Sequence, residues 1–251
     1  MSGPTCVYIA DRISPIEDIG DALAQYITDH PETFHPTLNI VAQSMGGLVV
    51  RSMIKHNYTD LVEAGYRIDD VVIICTPNHG TYLSHPPVFL TLLISIISLI
   101  LIFAFKWIGG LFLISGTLIA FLVWNYLDIF IGGTQAQQIT VFTGTNFINS
   151  LNYPDETPYG IDDANEIYRH ITWSIFRGHG FLWVKLLAFF IYPFDLGEHD
   201  GFVGGWSVPL QGAKNYGPYQ RNHNELLLIN DLGSVDPSLD LFTELSTVRS
   251  I

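Results

Sequence analysis

One stretch of this 251-residue chain constrains the fold more than any other: Leu38-Asn39-Ile40-Val41-Ala42-Gln43-Ser44-Met45-Gly46-Gly47-Leu48-Val49-Val50-Arg51. Leu38 to Val41 is an apolar run of the kind that forms a buried strand. A sharp turn follows at Gln43-Ser44-Met45, and then apolar residues recur at helical spacing. Ala42 and Gly46 flank Ser44 at the −2 and +2 positions. A strained strand-to-helix elbow needs small residues there, because a larger side chain would collide with the neighbouring turn. Such an elbow lifts the serine hydroxyl above the sheet, at the positive end of the following helix. The plainer alternative is a serine that caps an ordinary helix.

The stretch resembles the nucleophile elbow of the α/β-hydrolase family, in particular its bacterial-type lipases and esterases. In their Gly-x-Ser-x-Gly pattern Ala42 takes the first place, and Gln43 stands where His often precedes the serine. A second stretch, Thr76-Pro77-Asn78-His79-Gly80-Thr81, resembles the Thr-Pro-x-His/Arg-Gly-Ser/Thr segment that precedes the lid in many of these lipases. His79 is then structural, because the family's base lies near the C-terminus. Thr145 to Asn152 resembles the stretch that follows the lid. Glu198-His199-Asp200-Gly201-Phe202-Val203 resembles the Asp-Gly-x-Val turn that carries the acid, with Asp200 first choice and Asp195 and Glu198 as fallbacks. Arg221-Asn222-His223-Asn224-Glu225-Leu226-Leu227 resembles the His-x-Glu-Leu segment that carries the base. The order Ser44, Asp200, His223 is the family's order. Taken alone, Asp200 reads as an Asp-Gly turn and His223 as a surface histidine.

The resemblance implies a serine hydrolase in which Ser44 attacks an ester carbonyl, His223 takes the proton and Asp200 stabilises the imidazolium. The Met45 N–H would supply one oxyanion-hole donor. The family's second donor comes from a loop after the third strand, often marked by His-Gly. Here Cys6 to Ala10 matches the fourth strand, and no His-Gly precedes Ser44. The sequence therefore predicts a sheet that is incomplete on its N-terminal side: either the chain is an N-terminally truncated piece or another segment fills the gap. As it stands, the nucleophile strand would have an unpaired edge or an abnormal neighbour.

Along the chain, Ser14-Pro15 opens a helix with Ser14 as N-cap, and Glu17 and Asp18 in the first turn. Ile16, Ile19, Leu23 and Ile27 form its apolar face. The elbow helix is expected to run to about Asn57, with room for another short helix from Leu61 to Gly65. Val71 to Cys75 is the next buried strand, and a later one lies near His170 to Ile175. Strands alternating with helices give an α/β fold with a mainly parallel sheet.

The apolar share is 48% and the charged share 14%, against the roughly 25% charged residues of an ordinary soluble protein. The deficit is concentrated between Pro86 and Gly133. Val88 to Phe105 is 18 residues without a charge, and Ile108 to Leu127 is 20 more. Each approaches the roughly 20 residues that span a bilayer as a helix. Lys106 and Trp107 sit between them, as an interfacial turn would. We read a helical hairpin that spans or deeply enters a lipid bilayer, with an apolar lipase lid as the alternative. Phe181 to Phe194 is a second apolar insertion of 14 residues, suited to an in-plane helix or a pocket wall.

Net charge is −13, which argues against a nucleic-acid partner. Cys6 and Cys75 both lie in apolar runs and read as buried small hydrophobes. The first residues do not have the pattern of a secretory signal peptide. No metal or cofactor is expected. The expected organisation is a hydrolase core in two halves, 1–85 and 134–251, around an inserted hairpin at 86–133. The expected function is cleavage of hydrophobic, lipid-like carboxylic esters at a membrane. The alternative is a catalytically impaired hydrolase-fold membrane protein that serves as a binding module. Oligomeric state is not readable.

Overall fold

The computed structural model describes residues 5, 7, 14–81, 116, 138–139, 146–153, 170–180, 198–223 and 225–226. The first helix, α1 (Ile16–Asp29), buries Ile16, Ile19, Ala24 and Ile27 on the face that the sequence periodicity marks. Its start differs from the sequence expectation. Pro15 occupies the N-cap position, and it has no side chain with which to cap. The Ile16 N–H is instead accepted by Gln138 Oε1 at 2.7 Å, across 122 residues of sequence. Gln138 Nε2 also donates to Glu17. The cap is tertiary, so no local motif announces it.

Strand β1 (Thr37–Gln43) runs into the elbow, and α2 (Met45–Glu63) leaves it. The helix is continuous through Asn57 to Glu63, where the sequence suggested a break. Tyr58 and Leu61 extend the buried face of Val50, Met53 and Ile54 at helical spacing, so burial carries the helix on. It ends at Gly65, whose φ of +91° suits glycine alone. Strand β2 (Arg67–Ile74) then begins four residues before the expected Val71, because pairing with β1 starts at Thr37 opposite Arg67.

A short helix, α3 (Asn146–Asn152), precedes β3 (Thr172–Gly178) and β4 (Lys214–Tyr219). The four strands lie in the order β1-β2-β3-β4, all parallel. Strand β4 was not expected, because Lys-Asn-Tyr-Gly-Pro-Tyr lacks an apolar alternation. At the edge of the sheet a proline is tolerated, and Tyr216 stacks on Phe176 with ring centroids 4.8 Å apart. At the other end, β1 has one strand neighbour among the described residues, and Val41 is 54% exposed.

Both faces of the sheet are covered. Val71 and Ile73 join the α1 and α2 side chains in one apolar cluster. Val72, Ile74 and Phe176 form another with Leu226. This two-sided burial explains why Val71 to Ile74 reads as an uninterrupted apolar run.

Among the described residues, no helix is long and apolar enough to cross a membrane. The hairpin expected at 86–133 lies outside the described residues, apart from Gly116, and so does the insertion at 181–194. What is described is where the first of these segments leaves and returns. The Thr81 N–H donates to the Ile139 carbonyl at 2.8 Å, so residues 82–138 form an excursion whose two ends are held together.

Candidate active site

Ser44 stands between β1 and α2 with φ 54° and ψ −130°. A serine rarely takes this backbone conformation, and the fold must impose it. The Ser44 N–H is held by the Ile74 carbonyl at 2.9 Å, and the Ser44 carbonyl accepts the Gly47 N–H at 3.1 Å. Its side chain makes no capping bond to α2, which removes the ordinary N-cap explanation of this serine. Met45, the first residue of α2, carries one of the N–H groups that a helix leaves without an intrahelical acceptor.

The glycines of the elbow are not equivalent. A Cβ on Gly46 would meet only Ala42 Cβ, at an ordinary 3.9 Å. A Cβ on Gly47 would lie 2.1 Å from Thr76 Oγ1 and 2.9 Å from Thr76 Cβ. The sequence argument placed the steric demand on Gly46. The structure places it one residue later, where α2 passes the end of β2.

Asp200 and His223 come together in a buried pair, with Nδ1 of His223 2.7 Å from Oδ2 of Asp200. The other oxygen of Asp200 accepts the backbone N–H groups of Phe202 at 2.9 Å and Val203 at 2.7 Å. Burial alone would push the Asp200 carboxyl up. The hydrogen bond and charge of His223, with the two backbone N–H groups, outweigh it and hold the carboxyl below its usual range. Asp200 does stand on an Asp-Gly turn, but a buried one, and His223 is buried too, so the reading as a surface histidine does not describe it.

The fallback acids fare differently. Glu198 faces outward to Arg177, 3.1 Å away. Asp195 lies outside the described residues.

Gln43 ties the pair to the elbow. Its Nε2 donates to the His223 carbonyl at 2.7 Å. Gln43, the residue preceding Ser44, thus anchors the loop of His223 beside the elbow. Gly178, at the end of β3, closes the assembly. A Cβ there would come within 2.5 Å of the Arg221 carbonyl and 3.3 Å of Asp200 Cβ.

The Thr76–Thr81 segment is a scaffold for the acid turn. Asn78 Nδ2 donates to the Val208 carbonyl, and Thr81 Oγ1 to the Phe202 carbonyl at 2.7 Å. His79 packs on Ser207, with Nδ1 3.0 Å from the Ser207 carbonyl, which is a structural placement. Arg51, fully buried on α2, donates to Asn78 Oδ1 at 3.1 Å and to Asn152 Oδ1 at 2.8 Å. Desolvation lowers its pKa to about 9. Sequence reasoning passed over this arginine, although a lone cation in an apolar run was the available signal.

One potential metal-ligand atom each from Cys75, Asp200 and His223 lie within 4.8 Å of one another. Asp200 and His223 are already bonded to each other there. The Cys75 thiol is pushed far up by burial and by the charge and hydrogen bond of Asp200, so it stays protonated. A metal would have to displace both bonds and a thiol proton.

Comparison with solved structures bears on the fold that carries these residues. The chain is similar to the lipase BlEst2 of Bacillus licheniformis in its mature form, with a TM-score of 0.55 at 16% identity, over 93% of this chain and 75% of that one. The chain has an α/β-hydrolase fold. The propeptide form of the same lipase gives a TM-score of 0.54 at 19% identity, again over 93% of this chain but 41% of the longer one. No protein-family model and no curated protein matches the sequence.

Proposed function

We propose that this protein is a serine hydrolase that cleaves carboxylic esters of hydrophobic, lipid-like substrates. The observation that carries the reading is the buried 2.7 Å Asp200–His223 pair, tethered through Gln43 to the strained turn at Ser44. In this reading Ser44 Oγ attacks the ester carbonyl and Nε2 of His223 takes its proton. Asp200 fixes Nδ1 as the protonated nitrogen and stabilises the imidazolium. His223 then protonates the leaving alcohol, and water repeats the cycle on the acyl-enzyme. The Met45 N–H is one donor to the oxyanion.

An apolar substrate is supported by the rim of the acid turn. Phe202 is 47% exposed and its ring lies 5.1 Å from that of His223, and Trp206 is 44% exposed. The solved structures to which the chain is similar include a lipase by name. Membrane association is part of the proposal. The uncharged runs inside 86–133 motivate it, and the joined ends at Thr81 and Ile139 suit a hairpin that returns to its point of departure. The two core segments, 1–85 and 134–251, then form one catalytic unit on one side of the bilayer.

A second reading has its own observation. The single strand neighbour of β1 among the described residues leaves the usual source of the second oxyanion donor unaccounted for. This favours a hydrolase-fold binding module. Hydrolysis of p-nitrophenyl butyrate by the full chain in detergent separates the two. The enzyme reading expects turnover that falls on the order of 10⁴-fold or more in Ser44→Ala. Turnover by the folded wild type no faster than by Ser44→Ala would favour the binding module.

A further inference from the structure

Among the described residues, two that are not glycine have a positive φ, Ser44 at 54° and Cys75 at 51°. They stand just past the ends of the neighbouring parallel strands β1 and β2. The strain at Ser44 presents the hydroxyl. The strain at Cys75 has no such explanation, and glycine would sit there without cost. What the strained backbone achieves is the placement of a side chain. Cys75 is fully buried, and its Sγ lies within 4.8 Å of an Asp200 oxygen and a His223 ring nitrogen.

We propose that Cys75 is a positioning residue whose S–H donates to Asp200 and fixes the carboxylate against His223. The inference rests on the hydrolase reading of that pair. A carboxylate has about four lone-pair sites. The N–H groups of Phe202 and Val203 and Nδ1 of His223 fill three of them, and in this proposal the buried thiol beside the carboxylate fills the remaining one. With every site taken, Asp200 has one orientation, and the His223 tautomer is set with it. Burial beside a carboxylate keeps the thiol protonated, so it serves as a donor and not as a nucleophile.

Three variants test this: Cys75→Gly, Cys75→Ala and Cys75→Ser. Glycine relieves the backbone and removes the donor, alanine removes the donor and keeps the strain, and serine keeps a donor. The readout is the second-order rate of fluorophosphonate labelling in detergent, with the melting temperature of each variant alongside. Loss of one hydrogen bond to a charged group slows labelling about tenfold in both Gly and Ala, and serine recovers most of the rate. A rate that follows melting temperature across the three, or Gly and Ala rates equal to wild type, would overturn the positioning role alone. A folded wild type that resists the probe would overturn the hydrolase reading and this inference together.

Discussion

Ser44 shows how much of the site is written into single residues. Its φ of 54° costs of the order of 1–2 kcal/mol for a residue with a Cβ. Ser44→Gly should therefore raise thermal stability by about 1 kcal/mol while abolishing reaction with a serine-directed probe. A variant less stable than wild type would show that the strain is absorbed elsewhere. Asp200 gives a pH dependence with a definite sign. Its carboxyl titrates below its ordinary value near 3.9 in the folded chain, so its stabilisation is present above that value and fades as pH falls through the folded pKa. At pH 6, Asp200→Asn should cost ~2 kcal/mol, the worth of hydrogen bonds to a charged group. The melting-temperature gap to wild type should begin to narrow as pH falls below about 3.9 and go on narrowing towards the folded pKa, and a gap that stays constant under acid would contradict the assignment. Ser44, Asp200 and His223 were legible as candidates through the likeness of their surroundings to hydrolase motifs and the order in which those motifs occur. Cys75 was not: the sequence shows a cysteine in an apolar run, and only the geometry past the end of β2 turns it toward Asp200.

At the scale of elements, the elbow and its flanking strand and helix follow from hydrophobic period and small residues. The errors arose where tertiary contacts override local signals. Gln138 caps α1 from 122 residues away. Burial of Tyr58 and Leu61 keeps α2 whole past Asn57. The demand for glycine falls on Gly47 because Thr76 of β2's exit presses on it, which no reading of the elbow alone contains. Gly46→Ala and Gly47→Ala therefore make a matched pair. Gly46→Ala should be neutral or stabilising by up to about 1 kcal/mol, since alanine is the better helix former. Gly47→Ala should cost about 1–3 kcal/mol from overpacking. Chemical denaturation measures both, and equal costs at the two positions would refute the steric account.

For the molecule as a whole, the parallel α/β architecture was readable from alternating strands and helices, and β4 was hidden by its polar sequence at a sheet edge. The long apolar insert is the remaining organising feature. Because Thr81 and Ile139 are hydrogen-bonded, a short Gly-Ser linker should replace residues 84–136 without disturbing the core. The shortened chain should partition away from membranes and keep probe reactivity at Ser44. Retention in the membrane fraction would assign anchoring to another segment, such as 181–194.

The functional account depends on Ser44 being an activated nucleophile. The most direct measurement is covalent labelling of the detergent-solubilised chain by a fluorophosphonate, with Ser44→Ala and His223→Gln as partners. We expect the wild type to be labelled, Ser44→Ala to be inert and His223→Gln to react orders of magnitude more slowly. A folded wild type that takes up no probe, or labelling that survives in Ser44→Ala, would contradict the account.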